Sequence, residues 1–328
     1  LYLGSVKFFK NLITLVIVLL IAALIAYVVI LSIENGKLKQ ELELFGSREI
    51  ENVANRGNSE DTSDSDNSGI EDGTIEGNRG ETTAEVVPTE PLSPHAHLFP
   101  ELYAVNFEEA NAADTAEYAD DSRYIYLSFD DGPSVNTNTI LNYLRDYGVK
   151  ATFFVIPDES ELSVSLMGRI VREGHAIGVH SYSHDYEEIY ASVEAYLEDF
   201  NKARNMIFEA TGVWSDIFRF PGGSINSYND EERDEIIAEL TRRGFVYFDW
   251  NVDSGDSNGA SWDTMYRTVR ADVAENTANN ERSIILFHDS PGATFTTWVI
   301  DDLIESFQNN SADYLFGKLG LDVEPLQW

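Results

Sequence analysis

The chain has 328 residues, a formal net charge of −35 and no cysteine. That charge excludes nucleic acid as a partner, because phosphates need a basic surface, and it argues against docking on anionic lipid through a basic patch. With no thiolate available, any metal must be held by Asp, Glu or the six His.

Leu12 to Leu31 is an unbroken apolar run in which only Thr14 and Tyr27 carry polar groups. About 20 helical residues span a hydrocarbon core of roughly 30 Å, and the run is longer than the apolar region of a cleavable signal peptide. It predicts one retained transmembrane helix, with Lys7 and Lys10 before it placing the N-terminus in the cytoplasm and the remainder outside the cell. Residues 34–98 come next as a short helical extension carrying Leu38, Leu42 and Phe45, then a stretch of Ser, Asn, Gly, Thr, Asp and Glu. A segment so poor in apolar side chains cannot repay its ordering entropy, so a disordered acidic tether is expected. His95 and His97 end it as an H-x-H pair, expected to be solvated rather than to hold a metal.

The sequence thus divides into a stub and anchor (1–33), a tether (34–98) and a globular head (99–328). In the head, predicted strands at 124–129, 151–156, 176–179, 217–219, 244–249 and 283–287 alternate with predicted helices at 139–147, 164–173, 192–210, 230–243, 261–278 and 298–308. Gly148, Gly174, Gly212 and Gly244 stand where helix ends belong. Such alternation implies parallel strands with helical crossovers, and the length fits a single α/β fold of the (β/α) barrel kind.

Polar residues gather at the C-terminal ends of these strands. Asp130 and Asp131 follow the first, His180 the third, Arg219 ends the fourth, Asp253 and Asp256 follow the fifth, and His288 with Asp289 follows the last. In β/α barrels those ends converge on the face that bears the active site. His180 and His184, four residues apart, are expected on one side of a helical turn. Two His, one carboxylate from the Asp130–Asp131 turn and an open position make the donor set of a catalytic zinc-type site. A second carboxylate beside the ligand can act as general base, and His288 on the far side can protonate a leaving amine.

Ser-Phe-Asp-Asp-Gly-Pro (128–133), His-Ser-Tyr-Ser-His (180–184), Arg-Phe-Pro-Gly-Gly-Ser (219–224), the Asp253–Asp256 segment and Leu-Phe-His-Asp (286–289) resemble, in order, the five motifs of polysaccharide deacetylases. This is the NodB-homology group, carbohydrate esterase family 4, and the likeness covers roughly residues 123–310. It implies a distorted (β/α) barrel, Asp130 as base, Asp131, His180 and His184 as ligands of one divalent ion (Zn2+ above all, with Co2+, Ni2+ or Mn2+ as alternatives), and Arg219 orienting Asp130. It further implies His288 as general acid paired with Asp256, and the Gly222 N–H as an oxyanion donor. Within the family the sequence is similar to a Gram-positive branch that deacetylates peptidoglycan, including at N-acetylmuramic acid.

Many members carry an aromatic residue at the Gly222 position and Trp at Ser257. Both residues are small here, so a more open groove over the sugar is expected. His175 precedes its strand and is expected to be structural. Cell-wall polysaccharide is the implied substrate. The rivals are an O-deacetylase of the acetylxylan esterase kind and a catalytically silent wall-binding ectodomain.

Overall fold

The computed structural model describes residues 93–106, 123–310 and 313–328. The apolar run 12–31 and residues 34–92 lie outside them, and among the described residues no helix is long and apolar enough to cross a membrane.

The elements run β1 (Tyr124–Gly132), α1 (Val135–Tyr147), β2 (Thr152–Val155), α2 (Glu161–Arg172) and β3 (Ala176–Val179). A short α3 (Tyr186–Ile189) and the long α4 (Val193–Thr211) precede β4 (Ile217–Phe218), α5 (Arg233–Arg242) and β5 (Val246–Tyr247). Then come β6 (Val252–Asp253), α6 (Trp262–Ala278), β7 (Ser283–His288), α7 (Thr294–Gln308) and β8 (Leu315–Gly317). The strands pair in parallel in the order β5-β4-β3-β2-β1-β7-β6, with β8 beside the start of β1. β5 and β6 end opposite sides of that order, yet only residues 248–251 separate them. The sheet must therefore curl until its edges approach, which gives a parallel half-barrel rather than a flat sheet. The segment after β8 lines the open side, where the Asp249 N–H donates to the Leu326 carbonyl (2.8 Å) and Gln327 Nε2 to the Tyr247 carbonyl (3.3 Å).

Alternation along each strand sorts side chains between two cores. Ile125, Leu127 and Phe129 of β1 pack outward under the helices, as do Phe153 and Val155 of β2. Tyr126 and Phe154 turn into the barrel with Phe248, Ile284, Leu319 and Val323. The inward row of β1 continues as Ser128 and Asp130, so strand periodicity itself carries a carboxylate to the barrel mouth. Gly178 of β3 makes room for this interior, since a Cβ there would lie 2.3 Å from Phe154 Cδ1.

The predicted elements occur in the predicted order, and their ends differ for local reasons. α1 starts at Val135 instead of 139 because the Ser134 and Thr137 side chains form a reciprocal cap. β6 and β8, at two and three residues, are too short to leave a period in the sequence. Residues 93–98, assigned by composition to the tether, are held on α5. The buried Arg243 guanidinium bonds Glu239 (2.8 Å) and donates to the carbonyls of Leu98 (2.7 Å), Phe99 (2.7 Å) and Leu102 (3.0 Å). Of the two histidines expected to be solvated, His97 is exposed, with Nδ1 3.0 Å from the Pro94 carbonyl, whereas His95 is half-buried, with Nε2 2.8 Å from the Glu235 carboxylate.

Candidate active site

β1 runs through Asp130 and Asp131 instead of stopping before them. Its ladder with β2 shifts register between Asp130 and Gly132, which leaves Asp131 as the extra residue of a bulge with φ 70°. Neighbours on a regular strand point to opposite faces. A bulge with left-handed backbone re-aims one of them, so both carboxylates reach the mouth. Such backbone costs a non-glycine residue of order 1 kcal/mol or more and collects at functional sites. Asp289 braces the turn: its N–H donates to the Asp130 carbonyl (3.0 Å), its carboxyl lies against Gly132, and the Thr137 hydroxyl donates to it. Burial, with Asp131 and Asp130 nearby, pushes the Asp289 carboxyl up to about 7, against the Thr137 hydrogen bond.

His180 leaves β3 with Nδ1 3.0 Å from the Arg219 carbonyl. A carbonyl only accepts, so Nδ1 carries a proton, and in the neutral ring Nε2 is the nitrogen with the free lone pair. His184 does not stand on a helical turn, as its spacing predicted. Residues 181–185 form a non-helical bend organised by Asp199 of α4, which accepts from the Ser181 hydroxyl (2.7 Å) and the N–H groups of Tyr182 (2.8 Å) and Ser183 (2.7 Å). The His184 N–H donates to Ser181 Oγ at 2.9 Å, and its φ of 54° turns the ring back towards His180, 5.3 Å away.

Asp131 Oδ1 lies 3.3 Å from Nε2 of both His180 and His184, and one ligand atom from each residue falls within 4.8 Å of the others. That oxygen is buried and makes no hydrogen bond. A divalent cation satisfies the orphaned oxygen and both imidazole lone pairs at once, so these residues fit such a group. Burial alone would raise the Asp131 carboxyl, but contact with His180 and the charges of His180, His184 and His288 outweigh it and hold it at about 2. Burial, followed by the His180 charge, lowers the His184 pKa and favours the neutral form that ligates.

Arg219 is fully buried behind Asp130. Its NH1 donates to Asp130 Oδ1 (2.9 Å) and Ser128 Oγ (2.8 Å), Nε to the Phe248 carbonyl (2.8 Å) and NH2 to the Asp249 carbonyl (3.3 Å). The guanidinium also lies over the Phe154 ring, 4.4 Å from its centroid. On the other side of Asp130, in register with it across the β1–β7 ladder, stands His288. Its Nδ1 is 2.8 Å from Asp256 Oδ1, while Asp256 Oδ2 accepts from the His288 N–H (2.7 Å) and the Thr296 hydroxyl (2.7 Å). Burial alone would lower the His288 pKa. The Asp256 hydrogen bond and the charges of Asp130, Asp256 and Asp131 outweigh it and raise the value to about 9.

Gly222 adopts φ 76°, and a Cβ there would meet Tyr186 at 2.9 Å. The Tyr186 ring stands edge-on to His184 (5.2 Å) and packs on Tyr228 (5.2 Å), which is 54% exposed. The expected open groove is thus corrected on this side: an aromatic ring from α3 fills the space beside Gly222. Trp328 and Trp250 close in likewise over Gly223, and buried Asp249 ties Ser224 (2.9 and 2.6 Å) to the Trp328 N–H (3.1 Å). Ser257 is exposed.

The structure therefore gathers Asp130, Asp131, His180, His184, Arg219, Asp256 and His288 at one mouth, with Gly222 at its rim. Asp253 is exposed and shapes the following turn by accepting from the Gly255 N–H (2.8 Å). His175 is buried away from the mouth, where Nδ1 accepts from the Ala151 N–H (3.2 Å), and its pKa is lowered to about 4 by burial and then by the charges of Lys150, Arg169 and Lys318. Asp199, Thr296, Asp249 and Tyr186 were not singled out from sequence.

Comparison with known proteins agrees with this arrangement. The sequence profile of the polysaccharide deacetylase family matches residues 117–238. The chain is 34% identical over 205 residues to the putative polysaccharide deacetylase YheN of Bacillus subtilis, covering 62% of this chain and 69% of that protein. It is 32% identical over 166 residues to a peptidoglycan-N-acetylglucosamine deacetylase of Bacillus cereus, covering 50% of this chain and 59% of that protein. The crystal structure of the catalytic domain of peptidoglycan N-acetylglucosamine deacetylase from Eubacterium rectale superposes with a TM-score of 0.57 at 32% identity, covering 63% of this chain and 92% of that one. With five motifs in order, the half-barrel and these relatives in agreement, the chain belongs to the polysaccharide deacetylase family, the NodB-homology group of carbohydrate esterase family 4.

Proposed function

We propose that this chain is a metal-dependent N-deacetylase of peptidoglycan, held to the outer face of the cell membrane through residues 12–31. The observation that carries the reading is the convergence of Asp131 Oδ1, His180 Nε2 and His184 Nε2 beside the Asp130–Arg219 and Asp256–His288 pairs. Asp131, His180 and His184 would hold one divalent ion, Zn2+ before Co2+, Ni2+ or Mn2+ on the donor set. Such an ion supplies Lewis-acid polarisation of the acetyl carbonyl and acidifies a water.

The remaining work belongs to the chain's own groups. Asp130, fixed by Arg219, takes the proton of the attacking water as the C–O bond forms. The Gly222 N–H would donate to the oxyanion. His288 delivers its proton to the amide nitrogen as the C–N bond breaks, which releases acetate and a free amino sugar. An amine leaves poorly unless protonated, and Asp256 keeps that proton on His288 at neutral pH. This favours an N-acetyl over an O-acetyl substrate, in keeping with the Bacillus cereus and Eubacterium rectale relatives, both peptidoglycan-N-acetylglucosamine deacetylases by name. Tyr186 beside Gly222 takes up space there, so a lactyl-peptide substituent would have to lie away from that side of the mouth.

The test is to incubate the metal-loaded chain with peptidoglycan, N-acetylglucosamine oligomers and acetylxylan, with products read by mass. New amines on wall sugars are expected, and amines confined to glucosamine would rule out the muramic position. Acetate released from acetylxylan alone would sink the N-deacetylase reading.

The acid pair gives a pH prediction. His288 acts while protonated, so its contribution holds at neutral pH and is lost as pH rises through its raised pKa. Asp256→Asn removes the largest interaction that raises it. The alkaline limb of kcat/KM is then expected to move down by about one pH unit or more, and an unmoved limb would exclude the pair as its source.

A further inference from the structure

The outward face of α7 carries aromatic rings that the reaction centre does not use. Phe295 and Trp298, 49% and 56% exposed, meet edge to face 5.4 Å apart. One turn further, Asp302 accepts a hydrogen bond from Trp262 Nε1 of α6 at 3.0 Å. Trp262 stacks on Tyr266 with ring centres 5.2 Å apart and planes 11° from parallel, and Arg270 donates to the Tyr266 hydroxyl at 3.1 Å. Trp298 and Asp302 are four residues apart and so share a helix face. Two ring pairs therefore lie along the α6–α7 seam with Asp302 between them: exposed Phe295–Trp298, and Trp262–Tyr266, which is half-buried against the core. The distal part is a groove of about 430 Å³ lined by Trp262, Tyr266, Arg270, Asp302, Glu305 and Asn309.

A single exposed ring is ordinary, whereas two exposed rings in contact beside a ring-lined groove mark a candidate interaction surface. The groove's carboxylates and the net charge of −35 disfavour an anionic membrane or a nucleic acid. Flat rings set among carboxylate and amide groups suit a neutral, polyhydroxylated ring, whose C–H face stacks while its hydroxyls donate to oxygen. The seam also begins beside the acid pair. Thr296, between Phe295 and Trp298, donates to Asp256 Oδ2 at 2.7 Å. Since His288 serves the leaving amine, and that amine stays on the sugar, the polymer must lie on this side of the centre.

We propose that the α6–α7 seam is a second glycan-binding track, which takes a neutral stretch of the polymer beyond the reacting sugar on a platform of Trp298, Trp262 and Tyr266. The proposal rests on the reading of the chain as a glycan N-deacetylase. It is tested with the full, metal-loaded chain carrying Asp130→Asn, so that binding is read without turnover, by calorimetry with the N-acetylglucosamine dimer and hexamer. The hexamer is expected to bind about tenfold tighter than the dimer, and Trp298→Ala and Trp262→Ala are each expected to abolish most of that advantage. Trp298 is exposed, so its variant decides the matter even where Trp262→Ala fails to melt cooperatively. A hexamer bound no tighter than the dimer, or an advantage that survives both substitutions, would overturn the track. Self-association that is lost with Trp298→Ala would overturn it too, by assigning the face to a second copy of the chain. The enzymatic reading fails separately: a chain with Asp130 intact that prefers the hexamer yet releases no acetate from any N-acetylated glycan keeps the track and loses the deacetylase.

Discussion

Asp131→Asn is expected to abolish metal uptake and, with it, nearly all acetate release. The buried Asp131 Oδ1 sits 3.3 Å from both imidazole Nε2 atoms without a hydrogen bond, so its negative charge is the feature that makes the cluster a cation site rather than a pair of histidines. Asn keeps the shape and removes the charge. Loss of groups that merely orient a ligand costs roughly 10–100-fold in metal affinity, so removal of a charged ligand is expected to cost at least about 100-fold. Carbonyl polarisation is worth several kcal/mol, which corresponds to about 10³-fold or more in rate. A readout free of activity is the melting temperature. Metal at a thousand times its Kd stabilises a folded chain by about 4 kcal/mol; the unsubstituted chain should show that rise and Asp131→Asn almost none. The substitution has a cost of its own, because the Asp131 pKa is depressed to about 2. A depressed carboxylate contributes stability above its ordinary pKa and loses it as pH falls through the folded value. The metal-free variant should therefore melt somewhat lower at neutral pH, with the gap closing in acid. A variant with full metal content and full turnover would remove Asp131 from the site.

The cluster of candidate side chains was legible in sequence because topology concentrates them. Asp130, Asp131, His180, Arg219, Asp256 and His288 all stand at or just beyond strand ends, and parallel strands bring their C-terminal ends to one face. Contacts between elements far apart in the chain leave no such signal. Asp199 lies on α4 near Glu194 and Glu198 and reads as one more solvated acid, yet it bonds three donors of the His180–His184 bend. The i, i+4 spacing of the two histidines suggested a helical turn because that rule presumes backbone hydrogen bonds in register, and here Asp199 and Ser181 take the N–H groups instead. Tyr186 escaped notice for the opposite reason: the small residue at Gly222 suggested a gap, and the ring that fills it arrives from α3. The contacts of residues 93–98 left no signal either, since a buried arginine that bonds carbonyls can hold a segment whose own composition reads as linker.

Arg219→Leu is expected to cost both stability and turnover, and the two losses are separable. The guanidinium is fully buried and makes four hydrogen bonds, to Asp130, Ser128 and the carbonyls of Phe248 and Asp249. Removal of one partner of a buried ion pair typically costs about 3–5 kcal/mol, because the other charge is left without compensation. For a folded unit of roughly 200 residues each kcal/mol moves Tm by about 2–4 °C, so Tm is expected to fall by about 6–20 °C. Arg219→Lys separates the effects. A lysine restores the positive charge and should recover part of the Tm, but its compact ammonium has three donors and no planar fork to span Asp130 and both carbonyls. Asp130 would then stay charged but poorly aimed. Because the Arg219 side chain bonds Asp130 and none of Asp131, His180 or His184, kcat should fall about 10²-fold or more while metal content and KM hold. A lysine variant with recovered Tm and full kcat would show that Arg219 only supports the barrel. One with recovered Tm, normal metal and a depressed kcat would assign it the aiming of Asp130, and through that aim the proton transfer on which the proposed deacetylation depends.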